Sequence, residues 1–184
     1  TKGHDTATYK DNTNSGYAVR PQASRGFDWD VRMKLLRSID IPPVWLLAAL
    51  GFAWVHSTRW TYGLSFGPVW SDLLGGLLVG GGVVLTALAV MEMRRHQTTI
   101  HPHHDSDRLV QSGIFKRSRN PIYLADVMIL AGFILYWDAV LALPLVPVFL
   151  WILEKRFVIP EENRLRETFR MDFARYCETV RRWV

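Results

Sequence analysis

One cysteine, Cys177, stands among 184 residues, so no disulfide can form within the chain. Acidic residues are outnumbered, 17 against 22 Lys and Arg, for a formal net charge of +5. A surplus of that sign suits either nucleic acid or a membrane surface. No apolar run comes early, which argues against a secretory signal. No glycine loop stands between a strand-like and a helix-like run. Gly75, Gly76, Gly80, Gly81 and Gly82 lie inside an apolar stretch, which excludes a Rossmann phosphate cradle. In that setting small residues four apart, such as Gly76 and Gly80, are expected to let helices approach closely. His96, His101, His103 and His104 cluster, but no cysteine or well-spaced carboxylate completes a metal shell. They read as solvated or lipid-facing, and no metal is expected.

What is present is apolar and segmented. Hydrophobic residues make up 49% of the chain although residues 1–38 are polar. Residues 41–58 contain 18 uncharged residues and 73–91 contain 19. Crossing the hydrocarbon core takes about 20 helical residues, so both are candidate spans. Trp60, Tyr62 and Trp70 between them fit an interfacial belt. Two further apolar runs, Ile122 to Trp137 and Ala139 to Phe157, are broken only at Trp137-Asp138 and read as a helical hairpin. Pro144 and Pro147 are expected to kink its second arm. After Pro160, Leu165, Phe169, Phe173, Tyr176, Val180 and Trp183 recur at helical spacing, with arginines on the other face. The expectation is an all-α integral membrane protein with about four transmembrane helices and a C-terminal amphipathic helix. Residues 1–38 form a polar tail, with a surface helix possible at Phe27–Leu36, and 39–184 form the membrane domain.

Charge is sorted along this pattern. Of the 22 Lys and Arg, seven lie in 1–38, six in 93–121 and eight in 154–184, leaving Arg59. Positive charge stays inside. Both termini and the loop 93–120 are therefore expected to be cytoplasmic, in an arrangement typical of a bacterial inner membrane. The surplus is read as membrane-directed, and nucleic acid is not expected as a partner. The polar tail is long enough to dock on a larger membrane complex.

The stretch Leu109–Tyr123, LVQSGIFKRSRNPIY, joins the polar loop to the hairpin. Pro121 fixes its own φ and keeps Asn120 out of the helical region, which suits a helix starting at Pro121. The first N–H groups of such a helix lack internal partners and can hold an anion. Taken alone, Arg-Asn-Pro is better explained as a plain helix start with Arg119 facing lipid phosphate; its surroundings shift the balance. Asp126 lies one turn into the hairpin and must face protein or a cavity. A catalytic role and pairing with an arginine near the helix start both remain open.

From about Thr98 to Val184 the chain resembles the isoprenylcysteine carboxyl methyltransferase and phospholipid methyltransferase superfamily. The resemblance rests on ordered pieces: Leu109-Val110, Gly113, Arg119-Asn120-Pro121-Ile122-Tyr123, an apolar hairpin, Glu161-Glu162 with Leu165, and Tyr176 with Arg181-Arg182-Trp183. It implies a membrane methyltransferase that uses S-adenosylmethionine on a lipid-like, isoprenoid or thiol acceptor. By family position, Asp107, Arg108, Leu109, Val110, Phe115, Asn120, Pro121, Ile122, Tyr123 and Glu161 are implied to line the cofactor. Arg119 and Tyr123 are the candidate catalytic residues. The prenylcysteine enzymes show Arg-His-Pro at the seam, His near 107 and Tyr near 115. They also carry an Arg where this chain has Phe157, flanked by Arg156. Phe157 weakens the case for a carboxylate acceptor. An inactive, methyltransferase-like accessory subunit is the alternative.

Overall fold

The computed structural model describes residues 40–59, 64–96 and 109–184. The polar tail and its Phe27–Leu36 segment lie outside the described residues, as do Asp107, Arg108, Trp60, Tyr62 and three of the four clustered histidines. Among the described residues every regular element is helical: α1 (Pro42–Arg59), α2 (Pro68–Arg95), α3 (Pro121–Tyr136), α4 (Leu145–Leu153) and α5 (Ile159–Thr179). Short 3₁₀ turns lie at Gly113–Lys116 and Val140–Ala142.

Only Val69–Arg95 among these is long and apolar enough to cross a membrane by length and composition. The outward faces of α1 and α2 are nevertheless covered with exposed large side chains, among them Leu47, Phe52, Trp54, Leu73, Leu77 and Val84. A contiguous apolar surface of that kind needs a non-aqueous neighbour.

α2 and α3 lie close together because glycines face each other. A Cβ on Gly75 would stand 2.7 Å from the Gly132 carbonyl, and one on Gly82 would stand 2.9 Å from the Ala125 carbonyl. Gly76 and Gly80 have nothing within 4 Å. The close approach therefore uses Gly75 and Gly82, seven apart, and not the expected pair four apart. Seven residues make nearly two helical turns, so the same face returns.

The hairpin departs from a simple kinked arm. After the turn at Asp138, with φ 52, the chain makes a 3₁₀ turn, and α4 begins only after Pro144. Pro144 caps α4 and Pro147 falls in its first turn, where a missing N–H leaves no bond unmade. The prolines start this helix and do not kink it. α4 then passes through a π-helical turn, Glu154–Val158, directly into α5. The second arm of the hairpin and the C-terminal helix thus form one helical path. The amphipathic helix itself breaks at Arg170, with φ 42 and ψ −107.

The main core joins α1, α3 and α4 through Ala49, Ala53, Leu130, Ile134, Phe149, Leu153, Phe157 and Val158. Asp40, just before α1, accepts hydrogen bonds from Trp45 Nε1 at 3.0 Å and from Arg156 Nε at 2.7 Å. Asp138 accepts from the Phe66 amide at 2.7 Å, tying residues 64–67 to the hairpin turn.

Candidate active site

The seam 118–123 is built against the two ends of the C-terminal segment. The Arg119 amide donates to the Arg181 carbonyl at 3.1 Å, and Asn120 Nδ2 and Ser118 Oγ both donate to the Arg182 carbonyl at 3.3 Å. Asn120 is buried. α3 starts at Pro121, as its fixed φ dictates, and its first backbone bond runs from the Leu124 amide to the Asn120 carbonyl. The N–H groups of Ile122 and Tyr123 precede that bond.

Two carboxylates adjacent in sequence take different tasks here. Neighbours on a helix point about 100° apart. Glu161 Oε2 accepts from the Tyr123 hydroxyl at 2.9 Å. The Tyr123 ring stacks on Phe157, with centroids 6.4 Å apart and planes 24° apart. Glu161 keeps partial access to solvent. Burial pushes its carboxyl above the usual range, against the opposing pull of the Tyr123 hydrogen bond and the Arg164 charge.

Glu162 is 5% exposed and points into the protein. Arg182 grips it with Nε at 3.2 Å and Nη2 at 2.7 Å, and Arg119 Nη1 lies 3.3 Å from the same carboxylate. Arg182 also donates to Glu154 at 2.6 Å, and the hydrogen bonds and charges of Glu162 and Glu154 raise its guanidinium above the usual value. Arg119 Nη1 further contacts Cys177 Sγ, while its Nε is buried with no hydrogen-bond partner.

The rest of the implied set lies along α5. Leu109 packs against the cluster of Phe173, Tyr176 and Val180, as does Phe169. The Phe115 carbonyl accepts from the Tyr176 hydroxyl at 2.6 Å, and burial raises the Tyr176 phenol further above neutral pH. His96 is half-buried and engaged: its Nε2 meets Ser112 Oγ at 2.7 Å, and Ser112 donates to Glu92. Gly113, with φ 56, closes this clasp, because a Cβ there would come within 2.7 Å of the Glu92 carboxyl carbon. Beside it opens a cleft of about 770 Å³ lined by His96, Leu109, Gln111, Ser112, Phe169, Asp172 and Arg175. Among the described residues of the implied cofactor set, Leu109 alone reaches it. Among the described residues no three His, Cys, Asp or Glu side chains converge to hold a metal.

The structure thus joins Arg119, Asn120, Tyr123 and Glu161 through Glu162 and Arg182, with Pro121 and Ile122 between them. It sets Leu109 and Phe115 against the second half of α5, with half-buried Val110 beside Leu109. Sequence reading missed Glu162, Arg182, Glu154 and Ser118 as the frame of the site. The signal was an excess of adjacent charges, Glu161-Glu162 and Arg181-Arg182, at the two ends of one helix. Asp126 is buried and, among the described residues, makes no hydrogen bond or ion pair, so it does not pair with Arg117 or Arg119 at the helix start.

Residues 70–172 match the family model described as phospholipid methyltransferase. The chain belongs to the phospholipid methyltransferase family. The matched span runs from α2 into α5, and so includes the seam, the Tyr123–Glu161 bond and Glu162. Methyltransferases of this family are membrane-associated and use S-adenosylmethionine as methyl donor. No match to a curated protein or to a solved structure accompanies this one.

Proposed function

We propose that the chain is an S-adenosylmethionine-dependent methyltransferase of the isoprenylcysteine carboxyl methyltransferase-like kind. It acts at the cytoplasmic face of a bacterial inner membrane, on an acceptor dissolved in lipid. The observation that carries this reading is the 2.9 Å hydrogen bond between Tyr123 and Glu161, which brings the Asn-Pro seam and the Glu-Glu turn together across 38 residues. In this reading α1, α2, α3 and α4 with its extension are four spans, and the exposed apolar faces of α1 and α2 meet lipid.

The residues present fit the donor. Glu161 is a partly accessible carboxylate able to take an ammonium or ribose hydroxyls. The N–H groups of Ile122 and Tyr123 suit a carboxylate. Leu109, Val110 and Phe115 offer apolar cover for an adenine. Bound there, S-adenosylmethionine supplies a methyl group on a positively charged sulfur. The protein's share is positioning and exclusion of water, which can contribute much of the rate for such a transfer. Tyr123, braced by Phe157 and Glu161, orients the reacting groups. Arg119 sets the seam through Glu162.

Titration calorimetry of the detergent-solubilised protein with S-adenosylmethionine tests the donor. A lipid-extract assay with methyl-labelled donor then tests the acceptor. Binding with labelled lipid supports the proposal. Binding without labelled lipid removes the lipid acceptor, and absence of binding returns the chain to an accessory role in a membrane complex.

A further inference from the structure

The π turn Glu154–Val158 winds one surplus residue into the helix, and such turns are rare enough to need support from outside. Its side chains lead to separate elements. Glu154 reaches the C-terminal segment through Arg182. Phe157 stacks on Tyr123 of α3, and Val158 is fully buried. Arg156 reaches the start of α1. Its Nε donates to Asp40 Oδ1 at 2.7 Å, and its Cζ lies 5.2 Å from the centroid of the Trp45 ring. Trp45 Nε1 donates to the same Asp40 oxygen at 3.0 Å. One carboxylate oxygen thus takes two donors while the indole face takes the guanidinium. A charge-assisted bond from Nε is directional, so the cluster fixes where Arg156 points as well as what charge is near it.

Stability does not account for this cluster. The Arg156 and Asp40 side chains are 51% and 29% exposed, and ion pairs so exposed add little to global stability. α1 already packs on the core through Ala49 and Ala53. Asp40 and Trp45 also lie before residue 70, where the match to the family model begins, so this support comes from the chain's own first helix.

We infer that Asp40 and Trp45 are positioning residues for the methyl-transfer site: through Arg156 they keep the surplus residue within 154–158. This deepens the methyltransferase reading and rests on it for the effect on donor binding. Without the anchor, the helix can pass the surplus residue towards its C-terminus and wind as α-helix through 154–158. The residues between the old and new positions of the π turn then rotate by about 100°. Phe157 leaves the Tyr123 ring, and Glu161 leaves the Tyr123 hydroxyl. α1 therefore acts on the site without touching it.

The test uses the full chain in detergent micelles with para-fluorophenylalanine at position 157. In the wild-type background the Tyr123 ring displaces the fluorine resonance, and Tyr123→Leu marks its position without that ring. Asp40→Asn and Arg156→Gln should each move the resonance at least halfway to that marker. Both should keep Tm within about 2 °C of wild type, as an exposed pair allows. Their affinity for S-adenosylmethionine, read by calorimetry, should fall roughly tenfold. Asp40→Arg combined with Arg156→Asp should move the resonance back and return affinity to within about threefold of wild type, which a general loss of stability would not do. A resonance unmoved in both single variants overturns the inference. A larger fall in Tm in step with affinity also overturns it, as does an exchanged pair no better than the single variants. If the wild-type protein does not bind the donor, the methyltransferase reading fails, and the fluorine resonance still decides whether Asp40 holds the turn.

Discussion

Glu161 and Glu162 are neighbours in sequence with opposite demands on the protein. Glu161 has a folded pKa raised by burial. A raised carboxyl favours the protonated form, so the stability it contributes is full below the unfolded value and is lost as pH rises through the folded value. Glu161→Gln removes that loss. The apo variant should equal or exceed wild type in Tm at about pH 8, with a smaller change in Tm between about pH 4 and pH 8. The same substitution should weaken S-adenosylmethionine roughly ten- to a hundredfold, as expected for the loss of a charge-assisted hydrogen bond worth about 1.5–3 kcal/mol. A variant less stable at pH 8 with unchanged donor affinity would show that Glu161 serves the fold. Glu162→Gln should do the reverse of what a solvent-facing acid would do. It leaves Arg119 and Arg182 without their shared partner and should cost about 1–3 kcal/mol, read as a fall in the denaturation midpoint. Stability within error of wild type would show that the two arginines do not depend on it.

At the scale of elements, the α2–α3 contact is the sharpest test. Gly75→Leu and Gly132→Val each drive a side chain into backbone at 2.7 Å and should destabilise by about 1–3 kcal/mol or more. Gly76→Ala and Gly80→Ala meet open space and should be neutral or stabilising by up to ~1 kcal/mol. Thermal unfolding in detergent separates the two pairs, and equal effects would remove the contact. Much of the element plan was legible beforehand. Pro121 announced the start of α3, the Trp137-Asp138 break announced the hairpin, and the recurrence from Leu165 to Val180 announced the buried face of α5. Pro144 and Pro147 misled because a proline reads as a kink or as a first turn according to where the helix begins. That start was set by the left-handed Asp138 and the 3₁₀ turn after it. The glycine spacing misled because five glycines offer several faces, and only the partner helix selects one. The frame of the site was hidden for a further reason. Arg182 and Glu162 are 20 residues apart, and nothing local signals that an extended segment returns to the helix start.

For the whole molecule the question is sidedness. With Cys177 replaced, single cysteines at exposed Gln111 and Glu178 should react with an impermeant maleimide from one face of a sealed vesicle. A cysteine at exposed Ser65, in the loop tied to Asp138, should react from the other. Labelling of Ser65 and Gln111 from the same face would rule out the four-span arrangement. It would also remove the site from the side where a soluble donor is found.

The π-helical turn at Glu154–Val158 gives the chain a phase as well as a path. A π turn carries one residue more than the α-helical repeat, so everything after it is rotated by about 100° relative to an uninterrupted helix. That rotation is what presents Glu161 to Tyr123 and Glu162 to the arginines in the same turn of helix. Deleting a single residue within 154–158 would leave the helix unbroken, a lesion nearly invisible to circular dichroism. It would nonetheless turn both acids away from their partners. Activity and donor affinity should collapse while helical content stays within a few per cent of wild type. The site is thus timed like a cam on a shaft, set by one surplus residue well before the acids it serves.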